Sequence, residues 1–260
     1  MGQDSKPTTP RVETAKVAWV TGASSGIGRA VVLRLAKDGW TVAASARNGE
    51  ALAGLSADAR GQIHAFPLDV TDKDAVLSTV PAIENMLGPI RLAVFCAGTY
   101  TRDYAKGFSS DVLAETIGIN LIGTGHCLEA IMAPMVLRGA GHIGVTASVT
   151  GYVGLPGGAS YGASKAALNS LCEALHPELA AKGVTLSIIN PGFVETPLTA
   201  RNDFPMPFII SAEEAAETIV AGLKTGRFEI IFPWKMALAI RFLHLLPHTL
   251  RFAITKRMLP

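Results

Sequence analysis

The sequence predicts an α/β fold, with one domain built on a doubly wound parallel sheet of about seven strands flanked by helices. Two observations lead to this expectation. Short apolar runs typical of buried strands alternate with helical periodicities, and the connections between them are short. Polar or glycine-rich residues directly follow several strands, which is where open α/β sheets bind their ligands.

The composition limits the class of protein. A chain of 260 residues with 49% hydrophobic and 17% charged residues is typical of a well-buried globular protein, in one large domain or two small ones. The net charge of +2 gives no reason to expect nucleic acid as a partner. Cys96, Cys127 and Cys172 are too widely spaced for a disulfide framework or a zinc site, so we expect free thiols in a cytoplasmic protein and no bound metal.

The first strand and its following turn carry the strongest local signal. A strand over residues 16–20 leads into TGASSGIG at 21–28, and a helical periodicity continues from there. Gly22, Gly26 and Gly28 would allow a tight turn and a close approach of backbone N–H groups to a pyrophosphate at the helix N-terminus. A plain strand-to-helix turn needs only one glycine. The pattern therefore predicts a dinucleotide-binding loop in a Rossmann-type sheet.

The end of the second strand predicts the cofactor. A strand over residues 41–46 is followed by Arg47, and no carboxylate occurs before Glu50. In dinucleotide folds an acidic side chain at this point binds the ribose 2′-hydroxyl of NAD, whereas an arginine accommodates the 2′-phosphate of NADP. NADP(H) is therefore the preferred prediction and NAD(H) the alternative. The simpler interpretation of Arg47, an exposed loop charge, leaves the missing acid unexplained.

The third strand, predicted over residues 62–68, ends at Asp69. This carboxylate could cap the following turn or contact an adenine. Thr71 and Asp74 have the spacing of a capping pair and are predicted to open the next helix.

A long helix is expected over residues 110–137, after a fourth strand over 91–96. Asn120 lies in its middle, where asparagine is unfavourable, so we expect a local bend or a functional contact. No apolar run is expected to be long enough to span a bilayer.

The central stretch predicts the reactive groups. A strand over residues 142–148 is interrupted by glycines and Pro156, and a helix resumes at Tyr161. Tyr161 and Lys165 are four residues apart and share one helical face, so the ammonium should lower the tyrosine pKa from about 10. A tyrosine of this kind can act as a general acid or base, and Ser148 can reach the same pocket. A surface pair of helical side chains is the simpler alternative.

These residues together resemble the short-chain dehydrogenase/reductase family over roughly residues 15–232. Each motif alone is weak, but the order and spacing of the whole set are specific. The motifs are Thr-Gly-x-x-x-Gly-x-Gly at 21–28, Asp69, Ala97-Gly98, Asn120, Ser148, Tyr161-x-x-x-Lys165, and Pro191-Gly192 with Thr196.

The resemblance implies a role for each position. Tyr161 would exchange a proton with the substrate oxygen, Lys165 would lower its pKa and hold the nicotinamide ribose, and Ser148 would bond the carbonyl or hydroxyl. Asn120 would hold a water that continues the proton path, so the implied catalytic set is Asn120, Ser148, Tyr161 and Lys165. The implied cofactor-binding residues are Thr21, Gly22, Ser24, Ser25, Gly26, Ile27, Gly28, Arg47, Asp69, Ala97, Gly98, Tyr161, Lys165, Pro191, Gly192 and Thr196. Asp69 would meet the adenine and Thr196 the carboxamide end of NADP.

Two features set this chain apart within that resemblance. Many relatives carry asparagine where this chain has Cys96, whose thiol is a weak donor, so one contact near the adenosine is expected to be weaker. The stretch 193–210, FVETPLTARNDFPMPFII, corresponds to a substrate lid and is rich in aromatic residues and proline. It predicts a hydrophobic substrate, unless these side chains only pack on the core.

The chain is expected to divide into a flexible tail (1–14, without the apolar core of a signal peptide), a dinucleotide-binding catalytic domain (15–232) and an amphipathic extension (233–260). From Ile230 onward there are five basic residues and no acidic ones. Arg241, His244, His248 and Arg251 would form a polar stripe, with Pro247 as a kink or the start of a second helix. Residues 233–257 could contact a membrane surface or pack within an oligomer.

The resemblance thus implies an NAD(P)(H)-dependent oxidoreductase that interconverts a carbonyl and an alcohol on a lipophilic small molecule. Reduction of a β-ketoacyl group, as in fatty-acid synthesis, is one alternative. A non-catalytic NADP-binding protein on the same fold is the other. The expected assembly is a homo-dimer or tetramer, cytoplasmic and potentially peripheral at a membrane.

Overall fold

The computed structural model describes residues 16–57 and 61–259, so the predicted tail at 1–14 lies outside the described residues. The strands in this part are β1 (Val17–Thr21), β2 (Thr41–Ser45), β3 (Ile63–Ala65), β4 (Ile90–Phe95), β5 (Gly141–Thr146), β6 (Val184–Pro191) and β7 (Glu229–Phe232). They form one parallel sheet of seven strands in the order β3-β2-β1-β4-β5-β6-β7. This is the predicted doubly wound arrangement.

Helices cover both faces of the sheet and create two apolar cores. The helices are α1 (Gly26–Lys37), α2 (Gly49–Ala57), α3 (Lys73–Leu87), α4 (Ser110–Ile117), α5 (Gly123–Arg138), α6 (Ala159–Ala180), α7 (Ala212–Lys224), α8 (Trp234–Leu245) and α9 (His248–Thr255). One core packs α1, α2 and α7 against the sheet, and the other packs α3, α5 and α6 against the opposite face. The central strands are therefore buried on both sides, which explains their continuous apolar sequences.

The region after β2 differs from the sequence prediction. Strand β3 covers only Ile63–Ala65 because it lies at the sheet edge and pairs with β2 alone. The predicted capping pair of Thr71 and Asp74 is wrong. Asp72 caps α3, because its side chain accepts a hydrogen bond from the N–H of Ala75 at 3.0 Å.

The long helix around Asn120 contains the irregularity that its sequence predicted. A π-helical turn, Gly118–Ile122, separates α4 from α5 and has Asn120 at its centre. The continuous helix from Ser110 to Arg138 is long and apolar enough to span a membrane by length and composition, contrary to expectation. Its α5 part packs in the core through residues such as Leu128 and Ile131, which places it within the globular domain.

The C-terminal extension forms two helices rather than one kinked helix. Pro233 precedes α8 and Pro247 precedes α9, each at the N-cap position, where the missing N–H costs no helical hydrogen bond. Met236 and Ile240 of α8 pack on Val149 in a small third apolar cluster. Helix α8 therefore lies against the segment that follows Ser148.

Candidate active site

The predicted reactive residues meet at the carboxyl edge of the sheet. Strand β5 ends at Thr146, and Ser148 begins a short 3-10 turn over Val149–Gly151. Helix α6 then begins at Ala159 and brings Tyr161 and Lys165 to the same cleft. This cleft has a volume of about 530 Å³ and extends from these side chains to the glycine loop after β1.

The electrostatics of Tyr161 differ from the expectation. The phenol is crowded by protein atoms, and burial raises the pKa of Tyr161 to about 12, while the Ser148 hydroxyl partly opposes the shift. The Lys165 ammonium does not sit at the phenol oxygen. It donates a hydrogen bond to the Thr146 carbonyl at 2.9 Å and lies 5.5 Å from the centre of the Tyr161 ring.

Lys165 is itself perturbed by its surroundings. Only 4% of the residue is exposed, and burial lowers the pKa of Lys165 to about 8. The predicted fall in the Tyr161 pKa is therefore wrong for the protein as described. Burial opposes the charged form of each group, and so raises the pKa of Tyr161 and lowers that of Lys165.

Ser148 is held as a hydrogen-bond donor. Its Oγ accepts bonds from the Thr150 hydroxyl at 3.0 Å and the Thr150 N–H at 3.2 Å. Its own proton is directed to the Pro191 carbonyl at 3.4 Å, which is a long contact. Because both lone pairs are engaged and the donated bond is weak, the Ser148 hydroxyl can readily donate to an oxygen in the cleft.

Asn120 braces the site from behind. It is fully buried; its amide nitrogen donates to the Thr99 carbonyl and to the Ser164 hydroxyl, both at 3.0 Å, and its amide oxygen accepts from the Thr99 N–H at 2.7 Å. The side chain therefore connects the end of β4 to α6 and does not line the cleft. The water relay implied by the resemblance stays a prediction.

Asp103 is a site residue that the sequence reasoning missed. Its buried carboxylate accepts bonds from the Ala159 N–H at 2.7 Å and from the Ser160 N–H at 2.8 Å. The Ser160 hydroxyl donates a third bond at 2.5 Å. Asp103 thus caps α6 two residues before Tyr161, from a loop more than fifty residues away, and no local capping pattern could reveal this contact.

Tyr100 was also missed and belongs to the wall around Tyr161. The two rings meet edge to face with centroids 5.2 Å apart, and the Tyr100 hydroxyl donates to the Gly157 carbonyl at 3.3 Å. Burial raises the pKa of Tyr100, so this phenol remains neutral.

The glycine loop forms a compact cradle in which a side chain at Gly22 or Gly28 would collide with neighbouring backbone. A Cβ on Gly28 would lie 2.3 Å from the Gly22 carbonyl oxygen, and one on Gly22 would lie 2.7 Å from the Cys96 backbone. Gly22, with φ of 67°, also requires the left-handed conformation. The loop therefore lets backbone approach backbone at the N-terminus of α1, as a pyrophosphate site requires.

Most of the predicted cofactor-binding residues line this cleft. Thr21 does not, because its hydroxyl accepts a hydrogen bond from the Ala97 N–H at 3.4 Å inside the sheet edge. The predicted residues that do line the cleft are Gly22, Ser24, Ser25, Gly26, Ile27, Gly28, Arg47, Asp69, Ala97, Gly98, Ser148, Tyr161, Lys165, Pro191, Gly192 and Thr196.

Two charged residues border the far end of the cleft. Arg47 is exposed just after β2. Asp69 accepts hydrogen bonds from the Thr71 N–H at 2.9 Å and hydroxyl at 2.8 Å, so it does cap the turn while also facing the cleft. These bonds, with the Arg47 charge as a smaller influence, lower the pKa of Asp69.

Cys96 replaces the expected asparagine without leaving its side chain unpartnered. The Sγ atom lies 3.4 Å from the Thr146 hydroxyl, and the backbone carbonyl of Thr146 holds Lys165. Burial raises the pKa of the Cys96 thiol to about 11, so it stays neutral. With Cys127 and Cys172 it is one of three free cysteines among the described residues.

The lid lies across the cleft from the loop after β4. Phe193 packs edge to face on Phe204 at 5.9 Å, and Arg102 stacks over Phe204 at 4.7 Å. Arg102 also forms an ion pair with Asp203. Phe193 contacts the small apolar cluster beneath α8, so this lid aromatic packs on the protein, whereas Val194 and Thr196 of the lid line the cleft.

The seven-stranded sheet and this cleft at its carboxyl edge are those of a Rossmann-type α/β protein. The family model described as short chain dehydrogenase matches residues 16–204, and the chain belongs to that family of oxidoreductases.

Two relatives illustrate this membership. An uncharacterized oxidoreductase of Myxococcus xanthus is 37% identical over 246 residues, covering 94% of this chain and 97% of the relative. An acetoacetyl-CoA reductase of Allochromatium vinosum is 36% identical over 236 residues, covering 88% and 91% of the two chains.

Solved structures show the same architecture. A short-chain dehydrogenase/reductase from Burkholderia phymatum in complex with NAD superposes with a TM-score of 0.82 at 26% identity, over 89% of this chain and 93% of that one. A variant of actinorhodin polyketide ketoreductase with NADPH gives a TM-score of 0.76 at 27% identity, over 84% and 94% of the two chains. Family members of this fold thus bind either cofactor.

Proposed function

We propose that this oxidoreductase uses NADP(H) to interconvert a carbonyl and an alcohol on a lipophilic small molecule, with Tyr161 as the general acid and base. The observation that carries the proposal is one continuous cleft. It joins the glycine cradle and Arg47 at one end to Ser148, Tyr161 and Lys165 at the other.

The residues present fit a dinucleotide phosphate. Side chains at Gly22 and Gly28 would collide with neighbouring backbone, so the cradle keeps its shape only with glycine at these positions. The backbone N–H groups at the start of α1 suit a pyrophosphate. Arg47 is exposed and makes no ion pair among the described residues, so it is available to a 2′-phosphate. NADP(H) supplies the hydride chemistry when bound.

Tyr161 and Ser148 provide the proton and the polarisation. With its pKa near 12, the Tyr161 phenol keeps its proton at neutral pH and can donate it to the oxygen of a carbonyl being reduced. Ser148 donates a second hydrogen bond to the same oxygen and stabilises the negative charge that develops there.

Lys165 stabilises the phenolate that remains after Tyr161 gives up its proton. Its ammonium lies against the Tyr161 ring and is anchored by the Thr146 carbonyl. As charge develops on the phenolate, attraction between the two groups increases in the low dielectric of the buried site. Oxidation of an alcohol follows the same steps in reverse.

The surroundings of the cleft favour an apolar substrate. Tyr100 packs against the Tyr161 ring and Phe193 packs against Phe204 of the lid, so apolar rings lie next to residues of the cleft. The acetoacetyl-CoA reductase of Allochromatium vinosum supports a second candidate, reduction of a β-ketoacyl thioester. Both candidates place a carbonyl oxygen at Tyr161 and Ser148.

A substrate screen tests the proposal. Purified protein with NADPH should consume the cofactor, followed by its absorbance, with a subset of lipophilic ketones and aldehydes or with acetoacetyl thioesters. Tyr161→Phe should lose at least about a thousandfold in kcat, in line with the loss of a general acid and its charge-stabilising partner, while binding NADPH normally.

Turnover by Tyr161→Phe close to that of the natural chain would refute the assigned role. A protein that binds NADPH yet turns over no carbonyl in the screen would favour the non-catalytic alternative. Preference between free ketones and thioesters decides between the two substrate classes.

A further inference from the structure

The C-terminal extension leaves many large apolar side chains exposed, although part of it packs on the domain. On α8, Trp234, Leu238, Phe242 and Leu245 recur at helical spacing and are 62% to 81% exposed. A helix on a globular protein normally shows the opposite arrangement. We call these four side chains the outer face of α8.

The inner side of α8 is already fully used by the protein. Met236 and Ile240 are buried in the small apolar cluster, so α8 is apolar on two sides. Arg241 pairs with Glu229, and His244 Nδ1 lies 2.9 Å from the Tyr152 carbonyl oxygen. The helix is therefore firmly seated and cannot rotate to bury its outer face without losing these contacts.

Arg251 of the predicted polar stripe also makes its contacts within the protein. Arg251 donates to the carbonyls of Leu243 at 3.1 Å, His244 at 2.5 Å and Leu246 at 3.1 Å, at the C-terminal end of α8. Helix α9 is thereby tied to α8 while Leu250 and Phe252 remain 54% and 61% exposed. The apolar surface extends from one helix to the next.

The charged residues within the extension itself are all basic, and only Arg241 has an acidic partner, Glu229, among the described residues. Lys235, Lys256 and Arg257 are exposed, make no ion pair within residues 16–57 and 61–259, and have no acidic neighbour in the sequence after Ile230. Lys235 lies 5.7 Å from the ring centres of both Trp234 and Phe208. A segment that exposes both apolar side chains and unpaired cations complements an anionic lipid surface, where tryptophan and lysine are favoured at the interface.

We infer that the outer face of α8, with the exposed side chains of α9, docks on an anionic membrane surface. A second copy of the chain fits less well, because a symmetric interface would bring the same cations toward each other without a carboxylate from this segment. The docking stands on these contacts alone and is independent of the catalytic proposal. Helix α8 packs beside Phe193 of the lid. If the catalytic proposal also holds, docking of α8 would bring the cleft close to lipophilic substrates dissolved in the membrane.

Vesicle binding tests the inference with the full chain. The protein should co-float with vesicles of equal parts phosphatidylglycerol and phosphatidylcholine, and bind much more weakly to phosphatidylcholine alone. The double variant Leu238→Gln/Phe242→Gln should partition at least about tenfold less, since two large side chains leave the apolar phase. Lys256→Gln/Arg257→Gln should also weaken binding by about tenfold.

A matched control removes equally exposed apolar side chains elsewhere. Met86→Gln/Leu137→Gln changes residues that are 68% and 89% exposed on α3 and α5, and should bind vesicles like the natural chain. NADPH binding by every variant confirms that the fold is intact. Deleting the extension is a poorer experiment, because it would uncover Val149 and Phe193 beside the cleft.

Three results would overturn the inference. The first is no binding of the natural chain to the anionic vesicles, and the second is equal binding by the Leu238→Gln/Phe242→Gln variant. The third is that the natural chain does not bind vesicles and that the Leu238→Gln/Phe242→Gln variant has a lower mass in solution than the natural chain. That result would assign the face to an interface between copies.

Discussion

The Asp103 carboxylate accepts two hydrogen bonds from Ser160, one from the backbone N–H at 2.8 Å and one from the hydroxyl at 2.5 Å. With the bond from Ala159, this closes the N-terminus of α6 from outside the helix. Tyr161 is the next residue, so the position of the phenol depends on a loop that follows β4. Asp103 is therefore a positioning residue whose loss should appear in catalysis.

Asp103→Asn should lower kcat by about tenfold or more, because the amide has one acceptor oxygen and its NH₂ would face the backbone N–H of either Ala159 or Ser160 and displace the first turn of α6. The free energy of unfolding should fall by about 1–2 kcal/mol. Asp72→Asn is the matched control, since Asp72 caps α3, does not line the cleft, and should leave kcat unchanged. Equal kcat for both variants would contradict the role of Asp103.

Arg47 should determine the cofactor preference. Arg47→Ala is expected to weaken NADPH binding by about tenfold to a hundredfold, as loss of a charge-assisted bond to a phosphate would, and to leave NADH binding nearly unchanged. Fluorescence titration measures both affinities. Arg227→Ala, at an exposed arginine before β7, should change neither. If the natural chain binds NADH as tightly as NADPH, the NADP preference is wrong.

Gly28→Ala should disrupt the cradle. The added Cβ would meet the Gly22 carbonyl oxygen at 2.3 Å, and backbone must move to relieve this contact. We expect a loss of about 1–3 kcal/mol in stability and at least about tenfold in NADPH affinity. Gly125→Ala in α5, where a Cβ meets nothing within 4 Å, should be neutral or stabilising by up to about 1 kcal/mol. Normal NADPH binding by Gly28→Ala would argue against the phosphate site.

Lys165 should give the stability a distinctive pH dependence. Its pKa is lowered to about 8 in the folded protein, against 10.5 for the ordinary group. Between these values the unfolded chain holds more protons than the folded one, so the free energy of unfolding rises with pH. Below pH 8 the buried charge costs on the order of 3 kcal/mol.

The variant Lys165→Met removes this titration and isolates it from the other groups. The free energy of unfolding of this variant should exceed that of the natural chain by the most at pH 7. The difference should shrink as pH rises from about 8 to about 10.5, measured by urea unfolding in the absence of cofactor. The variant should be inactive throughout. A constant difference in stability across that window would show that Lys165 titrates normally.

Sequence patterns predicted the sheet, the glycine loop and the side chains that meet in the cleft because these depend on local spacing. Gly22, Ser148, Tyr161 and Lys165 each lie beside a strand end that apolar periodicity locates. The prediction failed where one segment acts on another. Thr21 turns into the sheet edge toward Ala97, and the distant capping of α6 has no sequence signature.

The sequence by itself determined which side chains meet at the carboxyl edge, because parallel strands joined by helices bring their ends together. Only the tertiary structure decided the state of those side chains and the direction of the last helices. Burial raises the pKa of Tyr161 and lowers that of Lys165, although their spacing alone favours a phenolate. Docking of Met236 and Ile240 turns Leu238 and Phe242 outward, because a helix that is apolar all round can bury only one side against a single domain.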